Sequence, residues 1–121
     1  MLYRLFVYGT LRSEFANPYA LRLRREARML GRATTPGTIY RHRSFPGFDP
    51  NGPGLVKGEL YRLFRPHAFL RVLDEYEGKE FRRVIINAFL EDGHRMTAWA
   101  YRYQGSTGGR PRILSGDFCG S

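Results

Sequence analysis

Apolar and polar positions alternate along much of this chain, and changes in the period of that alternation mark out its elements. Leu5-Phe6-Val7-Tyr8 is an unbroken run of strand-favouring residues that stops at Gly9-Thr10-Leu11-Arg12. It predicts a strand over 3–8 followed by a tight turn, for which Gly9 removes the obstruction of a Cβ. Asn17-Pro18 has the form of a helix start, a capping side chain before a proline at the first helical position. A short helix to about Arg28 follows, with Ala20, Leu21, Leu23 and Ala27 as its apolar positions and its arginines facing water. Met29 to Tyr40 reads as strand in two pieces, broken by Gly31 and Pro36-Gly37. Arg41 to Gly54 is rich in proline and glycine and reads as a long loop, in which Phe45 and Phe48 either pack underneath or wall a pocket.

Leu55 to Phe64 alternates as a strand, with Gly58 marking a bulge or a close backbone approach. Pro66 opens a helix to about Tyr76, with Phe69, Leu70, Val72 and Leu73 as its apolar stripe and Gly78 as its stop. Phe81 to Leu90 and Arg95 to Tyr103 are two alternating runs joined by Glu91-Asp92-Gly93-His94, a strong hairpin signal. About six strands and two helices result, with the strands clustered late, so regular βαβ winding is excluded. The expected fold is α+β: a small mixed, mostly antiparallel β-barrel with flanking helices. It forms one domain over 1–121, in which 105–121 is an extended tail docked through Ile113, Leu114 and Phe118.

Composition changes this picture little. Hydrophobic residues make up 42% of the 121, enough for a core without staples. No apolar run is long enough to span a bilayer, and the start lacks the pattern of a signal peptide. Cys119 is the only cysteine, so no intrachain disulfide forms and a reducing, cytoplasmic setting fits. His42, His67 and His94 stand far apart and no Cys/His cluster has zinc spacing, so no metal is assigned.

The formal net charge of +9 raises nucleic-acid binding as an alternative. Against it, the cations are scattered. Their one dense group, Arg22, Arg24, Arg25 and Arg28, is the wet face of a helix, and no nucleic-acid-binding motif is present. No residue pattern fixes an oligomeric state.

Two stretches carry candidate chemistry. Successive N–H groups in the turn after the first strand can converge on an anion, because no ladder uses them. Glu77 ends a helix, where the dipole disfavours a carboxylate, and burial against Tyr76 and Leu73 raises its pKa further. Such a group can exchange a proton near neutral pH; the competing role is an ion pair with Arg82 or Arg83. No nucleophile presents itself. Cys119 lies in the tail, Ser44 and Ser115 lack a His partner, and no Gly-x-Ser-x-Gly string exists. One carboxylate and an anion-binding turn suit a substrate that brings its own nucleophile.

Five stretches together resemble the γ-glutamylcyclotransferase-like superfamily, in particular its small bacterial members and the γ-glutamylamine cyclotransferases. They are Val7-Tyr8-Gly9-Thr10-Leu11-Arg12, Phe45-Pro46-Gly47, Val56-Lys57-Gly58-Glu59-Leu60-Tyr61, Leu73-Asp74-Glu75-Tyr76-Glu77-Gly78 and Ala98-Trp99-Ala100-Tyr101, in the family's order. The resemblance implies the same small barrel and a cofactor-independent transferase or lyase. It implies Glu77 as the catalytic residue and Tyr8, Gly9, Thr10 and Leu11 as the substrate-binding turn, with Arg12 and Tyr101 as weaker members of the site.

The implied reaction is intramolecular. The α-amine of a γ-glutamyl amine or γ-glutamyl amino acid attacks its own γ-carbonyl, giving 5-oxoproline and a free amine. Phe45-Pro46-Gly47 stands where many relatives have tyrosine, and Phe118 where they often have tryptophan after the aspartate; both bear on the leaving group. A catalytically idle, small-molecule-binding relative and a basic nucleic-acid-binding module are the competing readings.

Overall fold

In a computed structural model, which describes residues 2–119, seven strands and two helices follow in the order β1 (Arg4–Val7), α1 (Pro18–Glu26), β2 (Ala27–Pro36), β3 (Thr38–His42), β4 (Phe45–Asp49), β5 (Leu55–Leu63), α2 (Pro66–Glu77), β6 (Phe81–Leu90) and β7 (Arg95–Tyr103). A single 3₁₀ turn, Gly78–Glu80, joins α2 to β6. Five strands close a barrel in the order β1-β5-β2-β6-β7, and β3 and β4 form a separate hairpin. The barrel pairs are antiparallel except β1 with β7, which are parallel and meet at Leu5 and Trp99. The expected mixed, mostly antiparallel barrel with flanking helices is what the chain forms.

The two-residue period of β1 explains its place. Phe6 and Tyr8 enter the barrel core with Phe48, Val56, Leu60, Ala98 and Ala100. Leu5 and Val7 point the other way, into a second core beneath the helices with Leu23, Tyr61, Leu63, Phe69, Leu70 and Leu73. A strand buried on both faces reads as the continuous apolar run seen here. β1 runs antiparallel to β5 with Phe6 opposite Leu60 and Val7 opposite Glu59. Beside that pairing, a Cβ on Gly58 meets the Val7 carbonyl oxygen and falls 2.7 Å from Phe6 Cζ. Gly58 is therefore a close approach of two backbones.

Several boundaries differ from the sequence expectation. α1 stops at Glu26 because Ala27 is already extended and pairs with Leu63. Leu21 faces solvent, and the buried residues of α1 are Ala20 and Leu23. The stretch 41–54 is not one long loop: Phe45–Asp49 is strand β4, paired from Thr38 opposite Asp49 to His42 opposite Phe45. Pro46 is tolerated because this two-stranded sheet has a free edge, where a missing N–H costs no ladder bond. Phe48 is fully buried in the barrel core, so the hairpin caps one end of the barrel. Gly31 sits where the β2–β5 register shifts, as a bulge with φ of 148°.

The tail lies along the hairpin. Arg41 N–H donates to Pro111 O at 2.8 Å and Ile113 N–H to Ile39 O at 2.9 Å, and Lys57 N–H then donates to Gly116 O at 2.7 Å. Ile113 is buried and Phe118 is half-buried, whereas Leu114, expected to dock, is 82% exposed. The turn at Ile113–Gly116, closed by Gly116 N–H on Ile113 O, swings Leu114 outward.

Substituting Gly58 by alanine tests the β1–β5 approach. The added methyl presses on backbone that cannot move without breaking the ladder. The expected loss is about 2–3 kcal/mol of folding stability in urea unfolding. A wild-type midpoint for Gly58→Ala would show that β1 is free to shift.

Candidate active site

The turn after β1 is closed by Arg12 N–H donating to Gly9 O at 3.1 Å. Asn17 holds it from outside. Its Oδ1 accepts from Ala20 N–H at 2.9 Å as the α1 cap, while its Nδ2 donates to Thr10 O at 2.7 Å. Among the described residues no acceptor takes the N–H groups of Gly9, Thr10 or Leu11. Pro46 packs on Gly9, where a Cβ would lie 2.9 Å from its Cγ, so the β3–β4 hairpin seats directly on the turn.

A cavity of about 290 Å³ opens beside this turn. Tyr8, Gly9, Thr10 and Leu11 line one side. Tyr76 and Glu77 from the end of α2, Glu80 and Phe81 after it, Tyr101 from β7, and Ser44, Phe45 and Pro46 from the hairpin line the rest. The structure thus brings Glu77, the turn and Tyr101 around one hollow.

Glu77 is the last residue of α2. Gly78 stops the helix with a φ of 69° and donates its N–H to Asp74 O, and no basic residue lies in the last turn. Burial pushes the Glu77 carboxyl up to about 7. Among the described residues it makes neither an ion pair nor a hydrogen bond; Arg83 pairs with Asp74 instead, at 3.1 Å. The carboxylates at 74 and 77 therefore have different settings, Asp74 exposed and paired, Glu77 largely desolvated and unpaired.

The two tyrosines are committed to the wall. Tyr8 Oη donates to Tyr101 O at 2.6 Å, and Tyr101 Oη donates to Asp74 Oδ1 at 2.6 Å. Burial, then the Glu77 charge, raises the Tyr8 pKa; burial, then the hydrogen bond to Asp74, raises that of Tyr101. Both phenols stay protonated at neutral pH.

Arg12 lies apart from the cavity. Arg12 is 7% exposed, and its guanidinium is held by Glu14 and by Asp117, each at 2.8 Å. Two further residues fix the turn and were not singled out from sequence. Asn17 was legible as a cap but not in its second role. Glu59, 3% exposed, accepts Ser13 N–H at 2.7 Å, the Ser13 hydroxyl, and Tyr61 Oη at 3.0 Å. Its signals in the sequence were its place within the resembling stretch Val56–Tyr61 and a carboxylate beside apolar positions on a strand, neither of which points to the turn. No group of three His, Cys, Asp or Glu side chains among the described residues is placed to hold a metal ion. No helix among them is long and apolar enough to cross a membrane.

Comparison with known proteins agrees with this architecture. The family model described as gamma-glutamyl cyclotransferase, AIG2-like, matches residues 5–120. The gamma-glutamylcyclotransferase family protein YtfP of Escherichia coli (strain K12) is 34% identical over 118 residues, which cover 95% of each chain. The solution structure of the Escherichia coli protein superposes with a TM-score of 0.70 at 35% identity, covering 95% of both chains. An uncharacterized protein from Pyrococcus horikoshii superposes with a TM-score of 0.73 at 29% identity, covering 96% of this chain and 89% of that one. The chain belongs to the AIG2-like gamma-glutamyl cyclotransferase family.

Proposed function

We propose that this protein is a cofactor-independent cyclotransferase that converts a γ-glutamyl amine or γ-glutamyl amino acid to 5-oxoproline and a free amine. The observation that carries the reading is the juxtaposition of an unpaired, desolvated carboxyl with a turn whose N–H groups have no acceptor, across one cavity. The turn donors receive the α-carboxylate of the substrate and hold it folded. The Glu77 carboxylate takes a proton from the α-ammonium, and the freed amine nitrogen attacks the γ-carbonyl carbon. A tetrahedral centre forms, and the bond to the amide nitrogen then breaks. The Glu77 proton passes to that nitrogen as it leaves. The ring nitrogen, which still carries both amine hydrogens, then gives one back to the Glu77 carboxylate, and through it to the free amine, which departs as an ammonium. No water is consumed and no redox change occurs.

Tethering suits a site with no nucleophile of its own. Intramolecular alignment reaches effective molarities of about 10⁵ M and above, and proton transfer by a placed carboxyl contributes roughly 10²–10⁴-fold. Keeping Glu77 near pH 7 lets one group act as base and then as acid within a turnover.

The direct test is release of 5-oxoproline from a panel of γ-glutamyl amines and amino acids. Glu77→Gln is expected to fold and to lose activity by at least about 10²-fold. Full turnover by that variant removes Glu77 from the mechanism, and a wholly inert panel with retained ligand binding points to a binding role instead.

The same carboxyl predicts two pH dependences. For the wild type, kcat/KM rises with pH through a limb near 7, as Glu77 becomes the base. Its folded pKa lies above the ordinary 4.5, so the stability it contributes is complete below that value and is lost as pH rises through about 7. Glu77→Gln should therefore be the more stable protein at pH 8, by up to about 3 kcal/mol. The difference should vanish below pH 4.5 in urea unfolding followed across pH. A gap independent of pH would show that burial does not shift this group.

A further inference from the structure

The cavity runs against the charge of the chain around it. The protein carries a formal net charge of +9, yet the lining contains two carboxylates, Glu77 and Glu80, and no lysine or arginine. Glu80 closes the 3₁₀ turn after α2. The backbone of that turn is fixed by Gln104, whose N–H donates to Glu80 O at 2.7 Å and whose side-chain amide donates to Lys79 O at 3.1 Å.

The two carboxylates occupy different depths. Glu77 is largely desolvated, whereas the Glu80 side chain is 62% exposed while still lining the cavity, which places it at the mouth. His42 Nε2 lies 3.7 Å from its carboxylate, too long for a hydrogen bond. His42 is buried behind the lining, wedged between the Phe45 and Tyr103 rings, with its Nδ1 unpartnered, so its position is fixed. No arginine or lysine among the described residues pairs with Glu80. Phe45 and Phe81, 5.7 Å apart between centroids, also line the cavity and supply an apolar wall beside the charge.

A carboxylate at the rim of a partly apolar hollow draws in cations and repels anions. In the cyclotransferase reading, on which this inference rests, the γ-glutamyl head lies against the turn and Glu77, and the leaving group extends towards the mouth. We propose that Glu80 sets leaving-group specificity: the preferred substrates are γ-glutamyl amides of a linear amine that carries a second positive charge. Compounds whose leaving group ends in a carboxylate are disfavoured. The apolar wall takes the methylene chain and Glu80 takes the distal ammonium. The reaction is the cyclisation already described, and the departing product is a diamine.

The test uses three γ-glutamyl conjugates of matched length, those of pentylamine, 1,5-diaminopentane and 5-aminopentanoate. Turnover is read as 5-oxoproline release at low ionic strength. Binding is read separately by titration calorimetry on the Glu77→Gln variant. The expected order is diamine over neutral amine over carboxylate, with about tenfold between steps in kcat/KM. Glu80→Gln should collapse the diamine-to-neutral ratio towards one, and Glu80→Lys should place the carboxylate conjugate first. A role confined to holding the backbone would change all three conjugates alike.

An unchanged ratio in Glu80→Gln, or a wild type that favours the carboxylate conjugate, overturns the proposal. Turnover without charge ranking overturns it while leaving the cyclotransferase reading standing. Charge-ranked binding without turnover by the wild type supports selection by Glu80 and removes the cyclotransferase reading. Neither binding nor turnover overturns both.

Discussion

The approach of β1 to β5 across Gly58 is the constraint on which the rest of the molecule depends. With the Val7 carbonyl and the Phe6 ring filling the space beside residue 58, β1 lies inside the protein with both faces covered. A strand held so closely ends where its partner allows. At Gly9, Pro46 of the hairpin already occupies the space a side chain would need, and the chain turns between Gly9 and Arg12. The face of β1 that carries Leu5 and Val7 is the same one that receives Leu70 and Leu73 of α2. Packing of one strand thus brings the turn and the end of the helix to a common edge of the barrel. The cavity between them follows from how the two cores are assembled.

Within that edge, the polar groups divide into those used by the fold and those left over. Asp74 is engaged by Tyr101 and Arg83, and the Tyr8 hydroxyl is spent on the Tyr101 carbonyl. Arg83 also lies 4.3 Å from the centre of the Trp99 ring, which holds it on the outside of the barrel. With these partners taken, nothing in the wall neutralises Glu77. Its carboxyl is desolvated without compensation, at a helix end whose dipole has the same sign as its charge. A buried, uncompensated carboxylate lowers stability, and a fold keeps one only where some other benefit offsets it. In the cyclotransferase proposed above, that benefit is a proton easily exchanged near pH 7.

Much of this was legible in the sequence where local signals agree with tertiary ones. Asp92-Gly93 between two alternating runs specifies the β6–β7 hairpin, which spans Phe81–Leu90 and Arg95–Tyr103 as read. Pro66 and Gly78 bracket α2, and with it the position of Glu77. Strand β4 was hidden because Pro46 and Gly47 are loop residues by composition. Their places are set by neighbours, an open sheet edge for Pro46 and the Tyr103 ring against Gly47. Glu80 was equally silent. Its place at the cavity mouth comes from tertiary structure, and the turn that delivers it is held by Gln104, which is remote in sequence.

The partner of Arg12 shows the same limit and changes how the turn must work. Read locally, a cation directly after Gly9-Thr10-Leu11 is a ready source of positive charge for an anion site. In the folded chain that guanidinium is turned to Asp117, 105 residues away, and to Glu14, so its charge is matched by two carboxylates. Phe118 stacks on Phe15 beside this pair, and Arg41 lies 5.3 Å from the centre of the Phe118 ring. Arg12 therefore fastens the tail over the outer side of the turn. An anion on the inner side meets neutral main-chain donors backed by a compensated ion cluster. Main-chain donors are fixed in direction by the turn itself, so they select an anion by its shape and position more than by its total charge. That suits a substrate whose carboxylate must be held in one orientation while its own amine reaches its own carbonyl.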